Sequence, residues 1–159
     1  MFSTVAELKV PIVLMHIRGT PQTMQQMTDY QDVIKEISDF LSQQINAATA
    51  AGIEREKIII DPGIGFAKNL EQNLEIFRRL TELKKLNSPI LVGPSRKSFI
   101  GSILNQPDPK ARGWGTAAAC CAASFNGADI LRAHDVEQMR DVSMVADAIW
   151  RPNCNKNCN

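Results

Sequence analysis

The chain has 159 residues, 44% of them hydrophobic and 22% charged, with a formal net charge of +1. That is enough for one domain with a real core, and it lacks the charge excess that would steer a protein to nucleic acid. No apolar stretch reaches the roughly 18 residues that cross a bilayer. The opening residues, MFSTVAELKV, show neither the basic nor the apolar region of a secretory signal. Cys120 and Cys121 are adjacent in an Ala-rich stretch, and Cys154 and Cys158 lie in the polar end RPNCNKNCN. Reduced thiols in a cytoplasmic protein are the plain reading, with residues 152–159 expected to be a disordered tail behind a domain over 1–151.

One alternation runs along the chain. PIVLM reads as a short buried strand. From Asp29 to Ala51, Tyr30, Val33, Ile34, Ile37, Leu41, Ile45 and Ala48 recur at helical spacing, and Gly52 closes the helix. KIIID is a second strand. Leu70, Leu74, Phe77, Leu80 and Leu83 then mark one further helix. PILVG is a third strand, GWGTAAACCAASFNG a helix of small residues, ADILRAH a fourth strand, and Val136 to Ile149 a last helix. Strands apolar throughout and separated by helices predict an α/β fold of parallel βα repeats with a covered sheet.

The strand ends carry the polar chemistry. The first runs into Met15, His16, Ile17 and Arg18, and the second stops on Asp61 in IIIDPGIGFAKN. The third gives Gly93, Ser95, Arg96, Lys97 and Ser98, and the fourth gives Arg132, His134 and Asp135. Ligands of parallel α/β sheets and barrels sit at the carboxyl ends of strands, so Asp61, Lys97, Arg132 and His134 are expected around one pocket. Arg132 and His134, two apart on a strand, would point the same way and form an anion site with the following helix. Asp61 suits a donor-rich, amidine-like edge, and Phe66 an aromatic wall. Each has a plainer reading. Asp61 can cap its own turn, Arg132 and His134 can pair with Asp135 or Glu137, Lys97 can be solvated, and His16 can be an anchoring side chain.

At these residues the sequence resembles dihydropteroate synthase. LMHIRGTPQTMQ, IIIDPGIGFAKN, LVGPSRKSFIG and DILRAHDVEQMRD carry the resemblance, which runs from about Thr4 to Trp150. It implies a (β/α)8 TIM barrel of folate biosynthesis, of which four βα units would be the C-terminal half, since such a barrel takes about 250 residues. It implies a transferase that joins 6-hydroxymethyl-7,8-dihydropterin diphosphate to 4-aminobenzoate and releases pyrophosphate.

Carried onto this sequence, Asp61 would accept from the amino-pyrimidine edge of the pterin and Lys97 would donate to its carbonyl and ring nitrogen. Arg132 would lie against the ring and, with His134, bind pyrophosphate. Ser98 would receive the aminobenzoate carboxylate, Phe66 and Arg96 would shape that pocket, and Met15, Gly93 and Ser95 would line the ring site. Mg²⁺ would travel with the diphosphate, its ligand lying in the absent N-terminal half, and no metal ligand is assigned here. The resemblance further implies a homodimer through barrel helices, and neither nucleic acid nor a membrane as partner. Ala133 stands where a larger branched residue is expected. The alternative is a non-catalytic half-barrel that binds anions or partner chains.

Overall fold

The computed structural model describes residues 1–151. The expected disordered tail at 152–159, with Cys154 and Cys158, lies outside the described residues. A short helix α1 (Phe2–Leu8) precedes β1 (Ile12–Met15), α2 (Val33–Ala50), β2 (Ile58–Asp61) and α3 (Leu70–Arg78). Then come β3 (Leu91–Val92), α4 (Ser98–Leu104), α5 (Gly113–Phe125), β4 (Ile130–Leu131) and α6 (Val136–Trp150). Among these residues no helix is long and apolar enough to cross a membrane.

The strands are parallel and stand in chain order. β1 pairs with β2 in the register Ile12 to Ile58 through Met15 to Asp61, and β3 pairs with β4 from Leu91 to Ile130. A single parallel bridge, Ile60 to Ile90, joins the two pairs, with the Ile60 N–H donating to the Pro89 carbonyl at 2.9 Å. The last two strands are shorter than the apolar runs suggest. β4 stops at Leu131, so Arg132 and His134 belong to the loop beyond it rather than to a strand.

Period-2 alternation divides each strand. Ile12, Leu14, Ile58, Ile60 and Val92 are buried under the helices together with Ile34, Ile37, Leu41, Ile76, Leu80 and Leu83. Val13, opposite Ile59, is 44% exposed, and Ile130 is exposed too. Helices therefore cover one face, while on the other Val13 and Ile130 are exposed and Met15 and Ile59 half-buried.

Local sequence explains the helix boundaries. Asp32 caps α2 by accepting from the Lys35 N–H. Gly52, at φ +92°, donates to Thr49, while Ile53 donates to Ala48, the paired bonds of a Schellman ending. Asn69 and Gln72 form a capping box at the start of α3. The single helix expected from Leu70 to Leu83 is instead α3 followed by a 3-10 stretch, Leu80–Leu86. Arg79 sits at the break, its guanidinium drawn to Asp32, Glu75 and Glu82, and the tighter turn still buries Leu80 and Leu83. Leu70, first in the helix, is exposed rather than on the apolar face.

His16 locks the end of β1. It is 2% exposed, its ring lying 5.0 Å from Phe40 and 6.0 Å from Tyr30, and its N–H donates to the Asp61 carbonyl at 2.9 Å. Burial, then the charges of Lys68 and Arg18, lower its pKa from 6.5 to about 3. The folded ring stays neutral where the unfolded one takes a proton, so this contribution is complete above pH 6.5 and fades as pH falls toward 3. His16→Gln is expected to flatten the loss of stability between about pH 6.5 and 5, measured by urea unfolding across that range. Asn69→Ala is expected to cost about 1 kcal/mol in the same assay by removing the cap.

Candidate functional site

The turn after β2 is built on Asp61. Its Oδ1 accepts the Gly63 N–H at 2.7 Å, so the carboxylate does cap its own turn. No hydrogen bond to Oδ2 occurs among the described residues, which leaves that oxygen to a ligand or water. Gly63 has φ +71°, and a Cβ there would stand 2.0 Å from the His16 carbonyl oxygen, so no other residue fits. Asn73, 2% exposed on α3, accepts the Gly65 N–H at 2.6 Å and donates to the Asn69 carbonyl at 2.7 Å, tying the glycine loop to the helix.

Lys97, between β3 and α4, reaches across to this loop. Its Nζ donates to the Ile64 carbonyl at 2.8 Å and lies 3.9 Å from the centre of the half-buried Phe66 ring, a cation–π contact. Arg96 precedes it in the left-handed region at φ +58°. Its N–H donates to Thr116 at 3.1 Å, and its carbonyl accepts from Arg112 at 2.9 Å. Arg112 is 9% exposed and also holds the Gln106 and Pro107 carbonyls. The Arg96 guanidinium grips Asp135 through Nε at 3.2 Å and Nη2 at 2.5 Å. Asp135 thus pairs with Arg96, and no such pair forms with Arg132 or His134 among the described residues.

Ser95 and His134 form a second unit. Ser95 is 5% exposed; its Oγ accepts the His134 backbone N–H at 3.2 Å and lies 2.9 Å from Nδ1 of the His134 ring. Ser95 thus holds both the backbone and one ring nitrogen of a residue that is otherwise exposed. Arg132 is exposed and its backbone N–H donates to Val92 at 3.0 Å. Its Cβ lies 3.7 Å from where a Cβ on Gly93 would stand, so the two residues are neighbours across the strand ends. Met15 is half-buried beside Asp61 in the strand register, and Ser98 is exposed at the first position of α4.

Electrostatics link the strand ends. Burial raises the pKa of Asp61, opposed by the Gly63 N–H and then by the charges of Lys97, Lys68 and Arg132. Burial lowers that of Lys97, opposed by Asp61 and reinforced by Arg132. Asp61, Lys97 and Arg132 therefore feel one another's charge, while His134 is tied to Ser95. Among the described residues no three of His, Cys, Asp and Glu gather where they could hold a metal ion.

Sequence reasoning passed over Lys68. It lies seven residues after Asp61, yet it is 3% exposed, and burial, opposed by the charge of Asp61, lowers its pKa to about 7. Its position in the quoted run FAKN was the available signal. Its partner His16, from another strand, was beyond local reading.

Comparison with known proteins gives this arrangement a context. The Pterin binding enzyme family matches residues 1–134. A dihydropteroate synthase of Synechocystis is 59% identical over 151 residues, covering 95% of this chain and 52% of the relative. The crystal structure of Yersinia pestis dihydropteroate synthase in a sulfonamide drug complex superposes with a TM-score of 0.90 at 38% identity, over 93% of this chain and 54% of that one. The Thermus thermophilus dihydropteroate synthase in complex with 4-aminobenzoate gives a TM-score of 0.88 at 39% identity, over 94% and 60%. The chain spans about half the length of the curated relatives it matches. By its match over most of its residues, the chain belongs to the pterin-binding enzyme family, and the relatives it resembles there are dihydropteroate synthases.

Proposed function

We propose that this chain is the C-terminal, four-unit half of a (β/α)8 barrel that forms 7,8-dihydropteroate. The observation that carries the reading is the grouping of Asp61, with an unpartnered Oδ2, and the cations of Lys97 and Arg132 at one end of the sheet. A carboxylate flanked by cations matches a pterin, which offers an amino-pyrimidine donor edge, a carbonyl and a ring nitrogen to hydrogen-bond. The 4-aminobenzoate complex of the Thermus relative supports the second substrate.

In this reading Asp61 Oδ2 accepts from the pterin amino edge, and Lys97, with donor protons beyond the one given to Ile64, binds the ring carbonyl and nitrogen. Met15, Gly93 and Ser95 border the ring, Ser95 also by fixing His134. The arylamine nitrogen of 4-aminobenzoate attacks the pterin methylene carbon, the bond from that carbon to the diphosphate oxygen breaks, and the amine proton passes to solvent. Negative charge grows on the departing pyrophosphate, where Arg132 and the His134 ring stabilise it. Ser98 receives the aminobenzoate carboxylate, with Phe66 as wall and Arg96 held in place by Asp135. Mg²⁺ is expected with the diphosphate. Its protein ligand is expected in the N-terminal half of the barrel, and no step is assigned to it.

Trp114, Phe125, Val136, Met144, Val145 and Ile149 of α5 and α6 are exposed, and a homodimer through these helices would cover them.

The 159-residue chain alone is expected to bind pyrophosphate weakly and to make no product at a useful rate in an assay with the pterin diphosphate, 4-aminobenzoate and Mg²⁺. Robust turnover by the chain alone would refute the half-site reading. Joined to the N-terminal half of the Synechocystis relative it should turn over. Asp61→Asn, which keeps shape but replaces an ionised acceptor by an amide, should then reduce kcat/KM by roughly 10²-fold or more, the scale of a lost charge-assisted contact in a buried site. An undiminished rate in that variant would remove Asp61 from pterin recognition.

A further inference from the structure

Beneath the Asp61 turn lies a buried cation to which the reading above gives no role. Lys68 Nζ donates to the Phe66 carbonyl at 2.8 Å and lies 3.1 Å from His16 Nδ1. It stands 3.5 Å from the point where a Cβ on Gly63 would be, directly behind the residue whose N–H holds Asp61 Oδ1. His16 in turn donates its backbone N–H to the Asp61 carbonyl, and its own carbonyl closes on Gly63. One ammonium thus meets the end of β1, the Phe66 carbonyl and the back of the turn. A neutral imidazole and a carbonyl satisfy two of its hydrogen bonds but none of its charge. An isolated charge is costly to bury, and among the described residues no carboxylate forms an ion pair with it.

The remaining surroundings narrow what can balance that charge. Arg18 and Lys97 repel it, and the Tyr30 ring faces it at 6.0 Å. Neutral His16 adds no charge. Among the described residues Asp61 is the anion that favours the ammonium form, and the attraction is mutual, since Lys68 also favours ionised Asp61.

We propose that Lys68 is the positioning residue of Asp61: from beneath the turn its ammonium fixes His16 and the Phe66 carbonyl and supplies the buried positive charge that keeps the Asp61 carboxylate ionised with Oδ2 free. Lys97 also carries positive charge toward Asp61, and more of it than Lys68, but its ammonium is only half-buried and would be drawn to a ligand. Lys68 is sealed from solvent and stays when the ligand leaves. It is therefore the part of the charge around Asp61 that a ligand does not disturb. The value of that state for pterin binding rests on the function proposed above; the coupling of the two groups does not.

The test reads the coupling from both sides in the 159-residue chain, with no substrate present. Carbon-13 NMR follows the Asp61 carboxyl carbon through a pH titration in the wild type, in Lys68→Met, and in Lys68→Gln, which keeps an amide donor without the charge. Both substitutions should raise the Asp61 midpoint by at least about one pH unit, the effect of one nearby opposite charge. A tie that is only structural would leave Lys68→Gln unshifted, and that result in a folded variant overturns the proposal.

The reverse measurement needs no change at Lys68. In Asp61→Asn, a substitution of nearly equal shape, the Lys68 Cε titration midpoint should fall by a matching amount, because coupling between two sites is reciprocal. An unmoved Lys68 midpoint overturns the proposal even if both Lys68 variants fail to fold. A shift on both sides, together with unweakened pterin binding by the joined enzyme carrying Lys68→Gln, would uphold the coupling and count against pterin recognition by Asp61 instead.

Discussion

The hydrogen bond from the Gly63 N–H to Asp61 Oδ1 is the constraint on which the rest of the site depends. It spends one carboxylate oxygen on the turn and leaves the other uncommitted. It also brings the backbone at Gly63 so close to the His16 carbonyl that a side chain is impossible. β1 and β2 are joined there beyond their regular ladder, and the following residues are sent back over the strand ends, where Ile64 meets Lys97 and Gly65 meets Asn73. Changing that bond would alter the direction of Asp61 and the seat of Lys97 together.

The two cationic arms of the site are held differently. Lys97 is anchored by a carbonyl and an aromatic face on the neighbouring unit, which ties the β2 and β3 loops together. Arg132 is held by its backbone N–H on Val92, and among the described residues no hydrogen bond holds its guanidinium. His134 stands between these cases, its ring orientation set by Ser95 and its outer edge free. The Arg96 to Asp135 pair links the loops after β3 and β4, which carry the two arms. Its contribution is geometric rather than energetic, because a part-exposed ion pair adds little stability.

Much of the architecture was legible because burial on parallel strands demands branched apolar runs, and those runs end where the chain meets polar work. IIID and its abrupt DPG marked the end of β2 at Asp61. The helix caps were equally local: Asp32, Asn69 with Gln72, and Gly52 each act within a few residues of their place in the chain. What escaped reading was non-local. The break at Arg79 needs Asp32, 47 residues away, to draw the guanidinium across. The short β4 reflects how far strand pairing extends in space, which the apolar run ILRAH does not encode. Lys68 looked like any loop lysine because His16 and Tyr30, which bury it, come from another unit.

Sequential strand order also bears on how the chain is assembled. Each strand pairs with a neighbour one βα unit away, so no pairing waits on the closing of a long loop across the whole chain. Nucleation can start in the best-connected unit, β1 to β2 with α2, whose two strands share the longest register. The later units add to an edge that already exists. The Ile60 to Ile90 bridge is the shortest pairing in that series, and what carries the structure across it is the single apolar core beneath both strand pairs, shared by Ile58, Ile60, Ile90 and Val92.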